Sequence, residues 1–248
     1  MNNPMCHRLA HIALALLATC FSAGATVAQT LRVVTEDTSY TYLVGDRVGG
    51  PATDAVEAIL QRAGLTDYSV GLYPWARAYD MAQREPNVLI YLIARTPERE
   101  HLFKWAAQLT RIEYHLYKLR ERNDLRATDL NALRGFSIGV LRDDVRHTFL
   151  QGQGFTRLVV SAQNTDNFRK LLNRQVDLVP MPERDARQFC LEEGVPYDTL
   201  EPVLTLDALV KGLYMAFSPG TSDEVVERAR EAFAALSAEG EILRLLGE

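Results

Sequence analysis

The chain has 248 residues, and its 27 Lys and Arg residues against 32 Asp and Glu residues give a formal net charge of −5. This length allows one domain or two modest lobes with a sizeable core. A hydrophobic content of 47% with 24% charged residues argues against a disordered chain and against a protein with several membrane spans. The acidic balance gives no electrostatic reason to expect nucleic acid or anionic lipid as a partner.

The amino terminus has the pattern of a secretory signal. His7 and Arg8 precede an apolar run at residues 12–21, and small residues follow up to Ala28. Ten apolar residues are too few for a helix that spans a bilayer core of about 30 Å. We therefore predict a signal peptide at residues 1–28, cleaved after Ala28 or Ala25, and a mature protein in the periplasm.

The cysteines allow one alternative for this segment and one conclusion about the mature chain. A lipoprotein signal ending at Cys20 is the alternative, although Thr19 before the cysteine fits that pattern poorly. Removal of residues 1–28 leaves Cys190 as the single cysteine. We therefore expect no intramolecular disulfide in an oxidising compartment, so the fold must depend on core packing.

The mature chain alternates between strand and helix patterns in two series. In the first series, strands are predicted at residues 31–35, 68–73 and 88–94, with helices at 51–63 and 75–84. In the second series, strands are predicted at 136–141, 158–162 and 176–181, with helices at 144–151, 167–173 and 183–193. Continuous apolar strands that alternate with helices indicate parallel sheets covered on both faces.

Two extended runs connect the series. Residues 111–122 separate them, and residues 210–217 follow the second one. A final helix is predicted after Thr221, which we assign as its N-cap because Glu224 follows three residues later. Two α/β units with two extended crossings predict two lobes with a cleft between them.

Partial matches to catalytic, cofactor-binding and metal-binding motifs lack the secondary structure or the spacing that each motif requires. The Gly-Phe-Ser-Ile-Gly motif around Ser137 lies at the start of a strand, whereas a serine-hydrolase elbow needs the strand before the serine. The Gly152-Gln153-Gly154 sequence lacks the third glycine of a dinucleotide loop and follows a helix. The histidines of the mature chain have no metal-ligand spacing. We predict no catalytic residues, no cofactor and no metal.

The segment at residues 73–105 is the most informative about binding. Thr96 and Pro97 predict a helical turn at the carboxyl end of a buried strand, where open α/β sheets hold their ligands. Arg95 and Arg99 beside free backbone N–H groups there could hold an anion. The alternative is that Arg99 pairs with Glu98 or Glu100 on a solvated turn. Trp75 and Arg77 at a helix start could add an aromatic wall and another cation to this site. The alternative is that Trp75 is a core residue and Arg77 a surface residue.

The order of these motifs resembles extracellular solute-binding proteins of family 3, the polar-amino-acid type that serves ABC importers. The resemblance rests on residues 31–35 with Tyr40 and Tyr42 after them, on the Arg-Thr-Pro-Glu-Arg turn ending at Arg99, on residues 133–140 and on residues 171–178. It implies a bilobed periplasmic-binding-protein-like (type II) α/β fold with two lobes joined by two crossing strands. The implied lobes are residues 29–113 with 209–248, and residues 114–208.

The resemblance also implies site residues. Arg99 matches the arginine that holds the ligand carboxylate, and Tyr40 or Tyr42 matches an aromatic cover. Asp143 and Asp144 stand where the family has a Gly-Thr-like turn, which is a departure.

The family's acidic residue for the ligand ammonium is a second departure. It falls at Pro182, with Glu183 adjacent. We therefore expect a ligand with an anionic group and an apolar or aromatic part, held by Arg99, Arg95, Arg77, Trp75 and the tyrosines.

The function expected from this resemblance is capture of a small anionic or amino-acid-like molecule for an ABC permease, by a monomer with no nucleic-acid partner. The alternative is a sensing module that presents its closed form to a membrane receptor. A dehydratase-type enzyme on the same fold is the third possibility, with Glu183, Asp143 or Asp144 as its general acid.

Overall fold

A computed structural model describes residues 30–209 and 211–247 of the chain. The predicted signal peptide, its cleavage sites and Cys20 lie outside the described residues. Among the described residues, no helix is both long enough and apolar enough to cross a membrane.

The secondary structure follows the predicted alternation. The strands are β1 (Leu31–Thr35), β2 (Tyr42–Val44), β3 (Arg47–Gly49), β4 (Tyr68–Leu72), β5 (Val88–Ala94), β6 (Lys104–Ile112), β7 (His115–Leu119), β8 (Ile138–Leu141), β9 (Leu158–Ser161), β10 (Val179–Met181), β11 (Leu200–Thr205) and β12 (Lys211–Phe217). The α-helices are α1 (Pro51–Arg62), α2 (Trp75–Arg84), α3 (Val145–Gly152), α4 (Asn164–Leu172), α5 (Glu183–Glu192), α6 (Asp223–Ala238) and α7 (Glu241–Leu246). Short 3₁₀ helices cover Pro97–Leu102, Asn131–Leu133, Tyr197–Thr199 and Asp207–Leu209.

The first α/β unit is built on a five-stranded sheet with the order β4-β1-β5-β12-β6. The central strand β5 is buried along its whole length because helices cover both faces of the sheet. Leu89 packs in the core cluster that includes α1, α6 and α7, whereas Ile90 packs in the cluster that includes α2. The continuous apolar run at residues 88–94 is therefore explained by burial on two sides.

The second unit contains the three-stranded order β10-β7-β11 and the parallel pair β8-β9. A parallel bridge between Ile138 and Leu178 connects β8 to the segment that leads into β10. The helices α4 and α5 cover this sheet through a core that includes Phe168, Phe189 and the buried Cys190, which forms no disulfide within the described part of the chain.

The sheets are mixed rather than purely parallel, which corrects the sequence prediction. β12 runs antiparallel to β5 and β6, and β7 runs antiparallel to β10 and β11. The extended run at residues 111–122 is not one strand, because β6 ends at residue 112 in the first sheet and β7 begins at residue 115 in the second. The chain therefore crosses between the units at residues 113–114 and again between β11 and β12.

Two helix caps also differ from the predictions. Ser222, not Thr221, caps α6, because its hydroxyl accepts a hydrogen bond from the backbone N–H of Val225 at 3.3 Å. Thr96 precedes a 3₁₀ helix and makes no side-chain capping bond. The predicted helical turn is therefore present as a 3₁₀ helix that begins at Pro97, without the predicted side-chain cap.

Candidate functional site

A narrow cavity of about 30 Å³ lies where the two α/β units meet. It has room for a few water molecules at most. Its polar lining consists of Glu36, Thr38, Tyr40, Trp75, Arg99, Tyr114, Asp144, Arg146, Asn164 and Asp185, and its apolar lining of Leu92, Ala94, Ile112, Pro182 and Leu213. Residues of both units therefore share one charged cavity.

A β-bulge directs the end of β5 toward this cavity. Leu92 has a φ of +60°, and the pairing of β5 with β12 shifts register at this point, between Tyr214 and Met215. Such a bulge inserts one residue and re-aims the side chains beyond it. Leu92 and Ala94 consequently line the cavity, and the 3₁₀ helix that carries Arg99 begins three residues after Ala94.

Arg99 is buried, with 7% of its surface exposed, and its guanidinium lies against two aromatic rings. The Cζ atom is 5.4 Å from the ring centroid of Trp75 and 4.9 Å from that of Tyr79. Nη1 donates to the carbonyl of Ala94 at 3.3 Å, and Nη2 donates to the carbonyl of Asp143 at 3.2 Å. No ion pair joins Arg99 to a carboxylate among the described residues, and its guanidinium directly contacts aromatic faces and main-chain carbonyls instead.

The carbonyl of Asp143 connects the two units at this point. It accepts hydrogen bonds from Arg99 and from Nε1 of Trp75, the latter at 3.1 Å. Asp143 has a φ of +58°, a left-handed conformation that is uncommon for a residue other than glycine. This local turn presents the carbonyl of the second unit to the two side chains of the first.

Two carboxyl groups form further connections across the cavity. Oε2 of Glu36, which follows β1, accepts from Nδ2 of Asn164 at 3.1 Å. Oδ1 of Asp185, on the first turn of α5, accepts from the backbone N–H of Ser39 at 3.1 Å and from its hydroxyl. Burial raises the pKa of Glu36 to about 8, even though Arg146 lowers it. Burial likewise raises the pKa of Asp185, against the hydrogen bonds from Ser39.

A buried ion pair completes the charged lining. Nε of Arg146 donates to Oδ1 of Asp144, and the two side chains are 5% and 7% exposed. Burial alone would raise the pKa of Asp144, but the charge and hydrogen bonds of Arg146 outweigh it and hold that pKa below its usual value. Asp144 also caps α3 by accepting from the backbone N–H of Arg146 at 2.9 Å.

Four of the predicted site residues line the cavity: Arg99, Trp75, Tyr40 and Asp144. The carbonyl of Tyr40 accepts from the backbone N–H of Ala52 at 3.0 Å, and Gly50, with a φ of +104°, lies so close to this carbonyl that a Cβ atom would not fit. The carbonyl of Asp143 accepts the hydrogen bonds from Trp75 and Arg99, while the side chain of Asp143 is exposed.

The other four predicted residues lie outside the cavity lining. Arg95 packs between the rings of Trp105 and Tyr214 beside α6 and donates to Glu100 at 2.8 Å. The remaining three are exposed: Arg77 lies over the ring of Tyr73, Tyr42 belongs to β2, and Glu183 pairs with Arg187 on α5.

Sequence reasoning missed Glu36, Arg146, Asn164 and Asp185. Glu36 had a usable signal, because it directly follows the carboxyl end of a buried strand. Asp185 lies one helical turn beyond the position where the resemblance suggested an acid. Nothing in the local sequence marks Arg146 or Asn164 as cavity residues.

The described residues hold no group of three or more His, Cys, Asp or Glu side chains placed to bind a metal ion. An open groove of about 230 Å³ adjoins the cavity and shares Glu36, Trp75 and Asn164 with it. The hydrogen bond between Glu36 and Asn164 therefore lies at the boundary between the groove and the cavity.

No family model matches the chain, and no curated protein sequence matches it either. Solved structures do match. The sensor domain of a histidine kinase with similarity to periplasmic binding proteins has a TM-score of 0.77 at 20% identity, covering 88% of this chain and 94% of that chain. The chain has a periplasmic-binding-protein fold. The fold class expected from the sequence is thereby confirmed.

Two further structures with this fold are binding proteins for amino acids. An ancestral arginine-binding protein bound to arginine has a TM-score of 0.75 at 15% identity, covering 87% of this chain and 96% of that one. An amino acid ABC transporter substrate-binding protein from Streptococcus pneumoniae bound to L-arginine has a TM-score of 0.75 at 18% identity, covering 88% and 93%. At these identities the comparison establishes the architecture, and the ligand must be argued from the cavity.

Proposed function

We propose that this protein binds a small carboxylate-bearing molecule, anionic or amino-acid-like, in the cavity between its two α/β units. The observation that carries the proposal is Arg99, a buried guanidinium stacked on two aromatic rings with no carboxylate partner among the described residues. A guanidinium recognises a carboxylate through paired N–H donors, and a charge-assisted bond of this kind contributes about 1.5–3 kcal/mol.

The proposed lobes are residues 29–113 with 209–248, and residues 114–208. A cavity of about 30 Å³ is far smaller than an ordinary ligand pocket, so the lobes must separate to admit a ligand. The chain crossings at residues 113–114 and between β11 and β12 are the natural hinge for this movement. A bound ligand would then replace part of the direct bonding between the lobes at Asp143.

The proposed role is capture without catalysis in the periplasm, followed by delivery to an ABC permease. The similar binding proteins belong to amino acid ABC transporters, which supports this role. The predicted cleavable signal, residues 1–28, would bring the protein to that compartment. We propose a monomer with no cofactor, no catalytic residues and no nucleic-acid partner.

A sensing role is the second candidate, and the similarity to a histidine kinase sensor domain favours it. In that role the closed form would contact a membrane receptor. Affinity purification from membranes, with and without a carboxylate that stabilises the protein in thermal unfolding, would distinguish the two roles. Co-purification of an ABC permease supports delivery, and co-purification of a receptor kinase supports sensing.

Thermal unfolding in the presence of amino acids, dicarboxylates and aromatic acids tests the proposed binding. We expect one carboxylate class to raise the melting temperature of the wild type in a saturable way. Arg99→Ala should abolish this shift. Arg95→Ala is the matched control, because Arg95 comes from the same turn but packs outside the cavity beside Trp105.

The proposal fails if no carboxylate stabilises the wild type. It also fails if Arg99→Ala remains folded and responds to the ligand as the wild type does. Equal losses in Arg99→Ala and Arg95→Ala would point to a general charge effect and would contradict the assigned site.

A further inference from the structure

Arg146 is a cavity residue to which the proposed function gives no role. It occupies the second position of α3, within the capped first turn, and it lines the cavity between the lobes. Only 5% of the residue is exposed. Such a fully buried arginine is costly unless its charge and donors are matched.

The surroundings of Arg146 supply that match. Nε donates to Asp144, Nη1 donates to the carbonyl of Pro180 at 3.0 Å, and Nη2 donates to Oδ1 of Asn164 at 3.1 Å. The ring of Tyr114 lies 5.0 Å from Cζ. A carboxylate, a carbonyl, an amide oxygen and an aromatic face together form a complete binding site for a planar guanidinium.

The guanidinium site is therefore already filled by a side chain of the same chain. Asn164 extends the network by donating from its other end to Glu36. Arg146 and Arg99 thus share the cavity with the carboxyl groups of Asp144, Asp185 and Glu36, and Asp144, the carboxylate of the guanidinium site, is already paired with Arg146.

We propose that Arg146 is a specificity-determining residue that occupies the guanidinium site of the cavity, so that the protein accepts carboxylate ligands and excludes those with a guanidinium side chain. This inference rests on the proposed function and narrows its ligand class. It separates this protein from the similar structures that contain bound arginine. In the wild type, L-arginine would have to displace Arg146 from its partners.

Chemical rescue tests the proposal directly. Arg146→Ala should melt at a lower temperature than the wild type, and methylguanidinium should restore part of the loss with saturable dependence on concentration. The wild type should show no such shift. L-Arginine should likewise give saturable stabilisation of Arg146→Ala and none of the wild type.

Two variants serve as controls. Arg169→Ala removes an exposed arginine that pairs with Glu193 on the same lobe, and methylguanidinium should not stabilise it. Arg146→Met removes the charge but keeps the length of the side chain, so it should lower the melting temperature while leaving less room for methylguanidinium than Arg146→Ala does. Arg146→Met also provides a second folded protein in which L-arginine binding can be measured.

Saturable binding of L-arginine by the wild type, as tight as by either variant, would overturn the proposal even if both variants fail to fold. A folded Arg146→Ala that responds to neither methylguanidinium nor L-arginine would overturn it as well. If the wild type binds no carboxylate but Arg146→Ala is rescued by methylguanidinium, the guanidinium site is supported and the proposed function fails instead.

Discussion

Replacement of Glu36 by Gln should remove much of the pH dependence of stability between pH 4.5 and about 8. The ordinary value of 4.5 applies to the unfolded chain, and burial raises the pKa to about 8 in the folded protein. Between these values the folded state binds more protons than the unfolded state. The free energy of unfolding therefore falls as pH rises through this window, by about 1.4 kcal/mol per pH unit.

The full pKa shift of Glu36 would correspond to a change of at most about 5 kcal/mol in the free energy of unfolding. Glu36 borders the cavity and the adjoining groove, where water weakens the desolvation, so we expect about 2–4 kcal/mol. The Gln side chain keeps an oxygen to accept the hydrogen bond from Asn164 but does not titrate. Glu36→Gln should therefore be more stable than the wild type above the window and lose less stability across it.

Urea unfolding at pH values below, within and above the window measures this effect as the difference between wild type and variant. Asp185, whose raised pKa acts in the same direction, is present in both proteins. Glu231→Gln, at an exposed position of α6, is the matched control and should follow the wild type. Parallel pH profiles for wild type and Glu36→Gln would refute the assignment of a half-buried Glu36 that is protonated in the folded protein.

The remaining predictions concern the bonds between the two units. Trp75→Phe keeps an aromatic ring for Arg99 but loses the hydrogen bond to the Asp143 carbonyl. This loss should cost about 0.5–1.5 kcal/mol of unfolding free energy and enlarge the radius of gyration measured by small-angle scattering. An unchanged radius and an unchanged stability would contradict a role of Trp75 in holding the units together. Ser39→Ala leaves buried Asp185 with only a backbone donor from this residue and should cost about 1–3 kcal/mol in urea unfolding. If the destabilisation by Ser39→Ala persists unchanged in the Asp185→Ala background, the loss does not come from this contact.

The elements of the fold were predictable where one local pattern dominated. The strand β5 and the helix α2 have the predicted bounds, because a continuous apolar run and an amphipathic stretch stopped before Pro86 leave few alternatives. The direction of β12 and the separation of β6 from β7 were not predictable, because strand pairing depends on partners distant in sequence.

The site was only partly predictable for the same reason. Arg95 and Arg99 are four residues apart, and the sequence alone suggested an anion-binding role for both. Only the packing of the 3₁₀ helix buries Arg99 against Trp75 and leaves Arg95 between Trp105 and Tyr214 on another face.

By itself the sequence determined two series of strands and helices, a secretory pattern at the amino terminus and an arginine at the end of a buried strand. The tertiary structure decided which charges meet. Glu36, Arg146, Asn164 and Asp185 come from separate segments, and they become neighbours only because the two α/β units meet at this cavity. Local sequence does not predict that packing, because the packing depends on the shapes of both units and on the chain crossings between them.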